Sequence, residues 1–172
     1  AHIANGMYGA LVVDPATPLP KADKEYVLVA SEWYLNGDGI STPASLDMAK
    51  ARAMMPEWTT FNGYANQYVT HPLRAKSGET VRLYVVAAGP TLSTAFHVVG
   101  TIFDTVYKEG AYQLGPSDGM SGGSQVLDLP PAPARFVVFS LAEPGLYPIV
   151  THKFSNVGIG AQLPPVRVVR AG

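Results

Sequence analysis

The sequence predicts an all-β protein built as a sandwich or barrel of short strands. Residues 80–86 alternate between apolar and polar side chains, with Val81, Leu83 and Val85 on one face. Such alternation is typical of a half-buried strand. The chain of 172 residues contains 17 Gly and 15 Pro, which favours many turns over a helical bundle. Its hydrophobic content of 47% is enough for a substantial core.

The first predicted strand lies apart from the others. Tyr8–Val13 is an apolar run that stops at an Asp-Pro pair. Further prolines follow it and predict an extended linker, so the main body begins near Leu19. A single strand has no partner against which to bury its face. Residues 1–18 therefore either dock on the body formed by residues 19–172 or belong to a preceding domain.

One short helix is predicted after the second strand, near Pro43–Met54. Thr42 is a candidate N-cap, and proline is favoured at the first helical position. Leu46, Ala49 and Ala53 then share one helical face, and a following proline must end the helix.

The rest of the body consists of apolar or alternating runs separated by turn residues, including a glycine-rich loop at 115–123. Turn signals at this spacing favour an antiparallel sandwich or barrel. The predicted body strands are Glu25–Trp33, Thr80–Val86, Ala95–Val99, Ile102–Tyr107, Gln125–Leu129, Arg135–Leu141, Leu146–Val150 and Val166–Arg170.

Charge and composition exclude several functional classes. The 12 basic and 13 acidic residues leave a formal net charge of -1, whereas nucleic-acid binding needs clustered positive charge. No apolar run approaches the roughly 20 residues of a membrane span. The N-terminal residues have neither the basic flank nor the apolar core of a signal peptide. Cysteine is absent, which excludes disulfides and thiolate-ligated metals within these residues.

The four histidines are candidate site residues, although no HxH or HxxxH motif joins any two of them. His97 lies inside an apolar strand, where an imidazole needs a hydrogen-bond partner or a function. His152 is expected at a strand end, where site residues are common. His71 precedes a proline in a turn-like stretch, and we interpret it as structural or exposed.

His2 and Met7 form a further candidate pair. An imidazole and a thioether on one tight loop suit copper, with methionine as the weak axial ligand of a blue centre. Such a centre also needs a second histidine and a cysteine thiolate. The alternative interpretation is that Met7 only packs in a core beside Tyr8.

Taken together, these segments resemble the copper-containing nitrite reductases and related two-domain multicopper oxidases. The resemblance covers nearly the whole chain in the correct order. The segments that carry it are His2–Pro15, Phe61–Gly63, His71–Leu73, Gly78–Tyr84, Phe96–Gly100, Phe103–Tyr107 and Gly145–His152.

The resemblance implies a cupredoxin-like Greek-key β-sandwich with one short helix. It implies that residues 1–18 are the last strand of a first cupredoxin domain plus a linker, and that residues 19–172 are the second cupredoxin domain. Further implications are an upstream cupredoxin domain, a homotrimer, and a periplasmic or secreted location.

The resemblance also implies the site residues. His2 and Met7 match two ligands of a blue (type 1) copper, whose cysteine and other histidine lie upstream in the family. His152 matches the ligand that the second domain gives to a type 2 copper between subunits. His97 matches the histidine that helps to deliver protons to bound nitrite.

The sequence departs from the family pattern beside both second-domain histidines. Thr101 stands where several nitrite reductases have Glu, and Thr151 replaces a more usual Asp. Nitrite and dioxygen therefore both remain as substrates. The alternatives to a nitrite reductase are a laccase-like multicopper oxidase and a non-catalytic cupredoxin scaffold for oligomerisation.

Overall fold

The protein is a sandwich of two β-sheets in the computed structural model, which describes residues 1–38, 40–115 and 122–153. The elements in chain order are β1 (Lys24–Trp33), α1 (Met48–Ala53), β2 (Trp58–Phe61), α2 (Gln67–Thr70), β3 (Thr80–Gly89), β4 (Thr94–Val98), β5 (Thr105–Lys108), β6 (Ala111–Leu114), β7 (Val126–Leu129), β8 (Ala134–Ser140) and β9 (Ile149–Thr151). Within the described residues, one sheet has six strands in the order β2-β1-β3-β8-β5-β6, and the other has three in the order β7-β4-β9. The predicted all-β sandwich is confirmed.

Strand pairing is antiparallel throughout these two sheets except between β1 and β3, which run parallel. The predicted antiparallel pairing therefore holds for the other strand pairs and not for this one. A parallel pair needs a long crossover connection instead of a hairpin, and the segment containing α1, β2 and α2 provides it.

The core lies between the sheets and follows the predicted alternation. Val81, Leu83 and Val85 of β3 are buried, and β8 places Phe139 opposite Val81 and Val137 opposite Leu83. The three-stranded sheet covers them with other buried side chains, which are Phe96, Val98, Leu127, Leu129 and Ile149.

The N-terminal segment lies against β1 and β3 without forming a strand. Tyr8 donates its hydroxyl hydrogen to the Ser31 hydroxyl at 2.6 Å, and its ring centroid lies 6.4 Å from that of Trp33. The segment Tyr8–Val13, which the sequence predicts as a strand, pairs with no strand in the described ranges, and its Leu11 is 89% exposed. Tyr8 therefore docks on the body while the residues after it stay open to solvent.

The helix begins later than predicted. Asp47 is the N-cap of α1, because its Oδ1 accepts hydrogen bonds from the backbone N–H groups of Ala49 at 2.9 Å and Lys50 at 3.0 Å. The Thr42 cap and the start at Pro43 are wrong, since the chain before Asp47 is still extended where Leu46 bridges to Leu35.

The prediction of one helix also missed α2 and a 3-10 turn at Ile3–Asn5. These segments are too short to show a helical period in the sequence. In the part of the chain that the structure describes, no helix has the length and apolar character needed to cross a membrane.

Other strand boundaries moved by a few residues. The structure begins β5 at Thr105 instead of Ile102 and β9 at Ile149 instead of Leu146, and it adds β2 and β6. Short strands carry too few side chains for a clear alternation. The strand predicted at Val166–Arg170 and residues 116–121 of the glycine-rich loop lie outside the described residues.

Replacing Phe96 with Ala should destabilise the fold by about 3–5 kcal/mol, because a fully buried aromatic side chain would leave a cavity. Urea unfolding followed by tryptophan fluorescence measures this loss. Val69→Ala, on α2 and 38% exposed, is the control and should change stability by less than about 0.5 kcal/mol. Equal losses in the two variants would contradict the assigned core.

Candidate metal centre

Two of the candidate histidines lie side by side on the three-stranded sheet. The ring centroids of His97 and His152 are 4.9 Å apart, and their planes meet at 39°. His97 pairs with Val150 in the ladder between β4 and β9, so His152 occupies the diagonal position on the same face. Strand pairing therefore brings together two imidazoles that are far apart in the sequence.

The ring of His97 is held in one orientation. Its side chain faces away from the core, because its neighbours Phe96 and Val98 are fully buried on the inner face. His97 is nevertheless only 9% exposed, and its Nδ1 lies 2.5 Å from the carbonyl oxygen of Gln125. A carbonyl can only accept, so Nδ1 carries the hydrogen and the lone pair of a neutral ring is on Nε2.

His152 is held mainly through its backbone. It follows β9 directly, and its backbone N–H donates to the carbonyl oxygen of Ala95 at 2.9 Å. Its side chain is exposed. The ring is therefore accessible to a ligand or to another chain while its main chain still belongs to the ladder.

A surface cleft of about 600 Å³ opens beside His97. Gln125, Thr101 and Tyr147 contribute to its wall, and the Tyr147 hydroxyl donates to the carbonyl oxygen of Glu143 at 2.7 Å. A small molecule or water can reach the edge of the imidazole through this cleft.

The carboxylate of Asp128 lies on the same face of the three-stranded sheet and already forms an ion pair with Arg135. Asp128 lies opposite Ala95 in the ladder between β4 and β7, two strands from His152. Arg135 donates to Asp128 at 2.7 Å, and this hydrogen bond lowers the pKa of the carboxyl group. Asp128 thus balances the charge of a buried guanidinium and is a poor candidate for a metal ligand.

His2 and Met7 lie on one tight turn, as their spacing predicts. The carbonyl oxygen of His2 accepts from the backbone N–H groups of Asn5 at 3.0 Å and Met7 at 3.1 Å. Gly6 closes the turn at a φ of 87°, where a Cβ would lie 3.1 Å from the Trp33 ring. Met7 is 68% exposed, so the alternative of a core side chain beside Tyr8 is wrong.

The candidates therefore form two separate pairs. Residues 1–38, 40–115 and 122–153 contain no group of three or more His, Asp or Glu side chains that could hold a metal ion. His71 joins neither pair: it is exposed, as expected, and its Nδ1 lies 2.9 Å from the Thr70 hydroxyl.

The two pairs nevertheless have the donor chemistry of copper. Imidazole nitrogens suit copper, and a thioether suits the weak axial position of a blue centre. His152 is accessible, while the hydrogen bond from Nδ1 of His97 to a backbone carbonyl is the kind of support found around functional histidines. Each pair fits part of a copper site and needs further ligands to complete it.

Sequence reasoning missed two supports of this pair, the Gln125 carbonyl and the Thr151 hydroxyl. A backbone carbonyl leaves no signal in the sequence. Thr151 appears in the sequence only as a departure from the family pattern, although a threonine hydroxyl can accept hydrogen bonds from nearby backbone N–H groups.

The chain is similar to several copper-containing proteins. The copper-containing nitrite reductase of Neisseria gonorrhoeae is 41% identical over 153 residues, covering 88% of this chain and 38% of that protein. A solved copper nitrite reductase from Nitrosomonas europaea shares 32% identity and a TM-score of 0.75, covering 98% of this chain and 57% of that one. A blue copper oxidase from the same organism has 23% identity and a TM-score of 0.68, covering 99% of this chain and 51% of that one. At this level of identity the likeness shows the fold alone. No protein-family model matches.

The two-sheet sandwich and these likenesses define a cupredoxin-like fold, so the predicted fold class is confirmed. The chain belongs to the family of copper-containing nitrite reductases. It spans about 38% of the length of the curated relatives that it matches.

The neutral form of His97 should carry its hydrogen on Nδ1. In the copper-free protein, long-range nitrogen-15 NMR should show a protonated Nδ1 and an unprotonated Nε2. His2 is the control, because its residue is exposed and no hydrogen bond within the described residues selects the tautomer of its ring. Finding the hydrogen of neutral His97 on Nε2 would contradict the assigned bond to Gln125.

Proposed function

We propose that this chain is part of a copper-dependent oxidoreductase that reduces nitrite to nitric oxide. Its second cupredoxin domain gives His152 to a type 2 copper shared between subunits, and His97 delivers a proton to the bound anion. The observation that carries the proposal is the close pair of imidazoles, one accessible and one held by a backbone carbonyl. The 41% identity to a copper-containing nitrite reductase supports this choice of reaction.

The two histidines are suited to different tasks. A metal ligand must be a neutral imidazole with a free nitrogen, and the accessible ring of His152 can present one. A general acid must gain and lose a proton without moving. His97 meets this need, because Nδ1 donates to Gln125 in both the neutral and the charged form while Nε2 exchanges the proton.

Reduction of nitrite to nitric oxide and water consumes one electron and two protons. A type 2 copper held by His152 and by ligands from another chain would supply Lewis acidity and the electron for this reduction. His97 would supply a proton to the oxygen that leaves as water, and the cleft beside it gives a path for water and a small anion.

His2 and Met7 are proposed as the imidazole and the thioether of a type 1 copper that receives the electron. Because the sequence has no cysteine, the thiolate and the second histidine of this centre must come from other residues, as in an upstream cupredoxin domain. Residues 1–18 are then the last strand of that domain with its linker, and residues 19–172 form the second domain. The exposure of Leu11 and Val13 supports this, because a preceding domain could cover them.

A homotrimer in the periplasm or outside the cell is part of the proposal. Exposed apolar side chains around the histidine pair offer a surface for a neighbouring subunit, namely those of Val99, Ile102, Val126 and Leu146. A type 2 copper at this surface would draw its other ligands from that neighbour, since the pair alone cannot complete a site.

Replacing His152 with Ala in the full-length protein should remove the type 2 copper and abolish nitrite reduction while leaving the blue absorption. The blue centre is unaffected because His2 and Met7 lie in a different part of the fold. Copper analysis, electron paramagnetic resonance and turnover measure the three effects. His71→Ala should change none of them. A His152→Ala protein with full type 2 copper and normal turnover would refute the assignment and favour the scaffold alternative.

Replacing His97 with Gln should leave the type 2 copper in place and slow turnover on the order of 10²-fold or more, as expected for a lost general acid. Turnover is measured beside the copper content of the same sample. Loss of copper in this variant would instead make His97 a ligand. Unchanged turnover would remove it from the proton path.

A further inference from the structure

We propose that Thr151 is a positioning residue for His152, and that its hydroxyl oxygen fixes the backbone that aims the His152 ring beside His97. The role of His152 as a copper ligand is taken from the proposed function. The capping by Thr151 rests on its own contacts within β4 and β9.

The Thr151 hydroxyl lies where it can control two backbone groups. The side chain faces inward and is 9% exposed. Its Oγ1 accepts from the backbone N–H of Ala95 at 2.9 Å and from the backbone N–H of Lys153 at 3.2 Å. A hydroxyl oxygen has two lone pairs, so these bonds use its full accepting capacity.

The bond to Ala95 replaces a normal bond of the ladder. Extending the register of β4 and β9 by one residue places Ala95 opposite His152, and the Ala95 carbonyl accepts from the His152 N–H at 2.9 Å. A regular antiparallel pair would return a bond from the Ala95 N–H to the His152 carbonyl. Here the Thr151 hydroxyl takes that hydrogen, so the chain can leave the sheet at His152 without an unpaired N–H.

The hydrogen bond from the Lys153 N–H to the Thr151 hydroxyl sets the direction in which the chain leaves the sheet. A hydroxyl that accepts from the N–H two residues later forms a local turn around the residue between them. That residue is His152. Its backbone is held from the residue before, the residue after and the facing strand, although its side chain is exposed.

The requirement at this position is therefore a short side chain with an accepting oxygen. Serine, asparagine and aspartate can form the same turn, whereas valine has the shape of threonine and cannot accept. The chemistry at position 151 would then determine ligand geometry and copper affinity without contact with the metal.

The test uses the full-length protein with Thr151→Val, Thr151→Ser and a matched control, Thr60→Val. Thr60 is also a buried threonine with two hydrogen bonds, one shared with the Ser31 hydroxyl at 2.9 Å and one accepted from Trp33 Nε1 at 3.0 Å, but it lies on β2. Hydrogen exchange of the Ala95 and Lys153 amides is measured in copper-free protein. Copper affinity and the type 2 resonance spectrum are measured after reconstitution.

Thr151→Val should speed exchange of the Ala95 and Lys153 amides and weaken type 2 copper binding by about 10- to 100-fold, with an altered spectrum. Thr151→Ser should restore all three properties. Thr60→Val should leave the type 2 centre as in the wild type.

Several results would overturn the positioning role. One is a Thr151→Val protein with the amide exchange rates and copper affinity of the wild type. Another is a Thr151→Ser protein that does not regain copper binding. A third is an equal loss of copper in Thr60→Val, because that result would indicate a general loss of stability. If His152→Ala keeps its type 2 copper, the proposed function fails instead. The exchange rates of the Ala95 and Lys153 amides would still report separately on the Thr151 cap.

Discussion

The pairing of β4 with both β7 and β9 is the constraint on which the candidate centre depends. Because side chains alternate along a strand, burial of Phe96 and Val98 in the core sends His97 to the opposite face. The same pairing carries His152 to the diagonal position. A slip of one residue would place His97 in the apolar core and Phe96 in solvent, which the hydrophobic effect opposes. Burial of the core side chains therefore determines the register of β4 and β9, and that register places the two imidazoles side by side.

A buried carboxylate anchors the turn that leads into β4. Glu32 accepts hydrogen bonds from the backbone N–H groups of Thr91 and Leu92, and from the Tyr34 hydroxyl at 3.0 Å. Such burial is tolerable only because several donors replace the lost water. Burial also raises the pKa of Tyr34, so the phenol stays protonated and continues to donate. The strand that carries His97 thus begins at a turn held by charge-assisted bonds.

The two donor pairs differ in how they are supported. His97 and His152 lie on a sheet, and hydrogen bonds to the Gln125 carbonyl and along the ladder restrict them before any ligand binds. His2 and Met7 lie on a turn that contacts the body through Gly6 and the following tyrosine. Preorganised donors lose less entropy when they bind. In the proposed function, the sheet pair is thus the rigid half of a shared site, and the turn pair depends more on the domain that completes it.

Local sequence patterns are enough to predict the sandwich, most of its strands and the residue types of the candidate centre. Alternation and turn residues are local signals, and an imidazole in an apolar strand is conspicuous in the sequence alone. The position of His97 beside His152 follows only from the folded structure, because strand pairing joins segments whose spacing carries no motif. The folded structure also decided that Asp47 caps α1 instead of Thr42, since a cap needs particular backbone angles. The hydrogen bond between His97 and the Gln125 carbonyl could not be predicted from the sequence either. Every residue has a backbone carbonyl, and only the fold orients this one towards the imidazole.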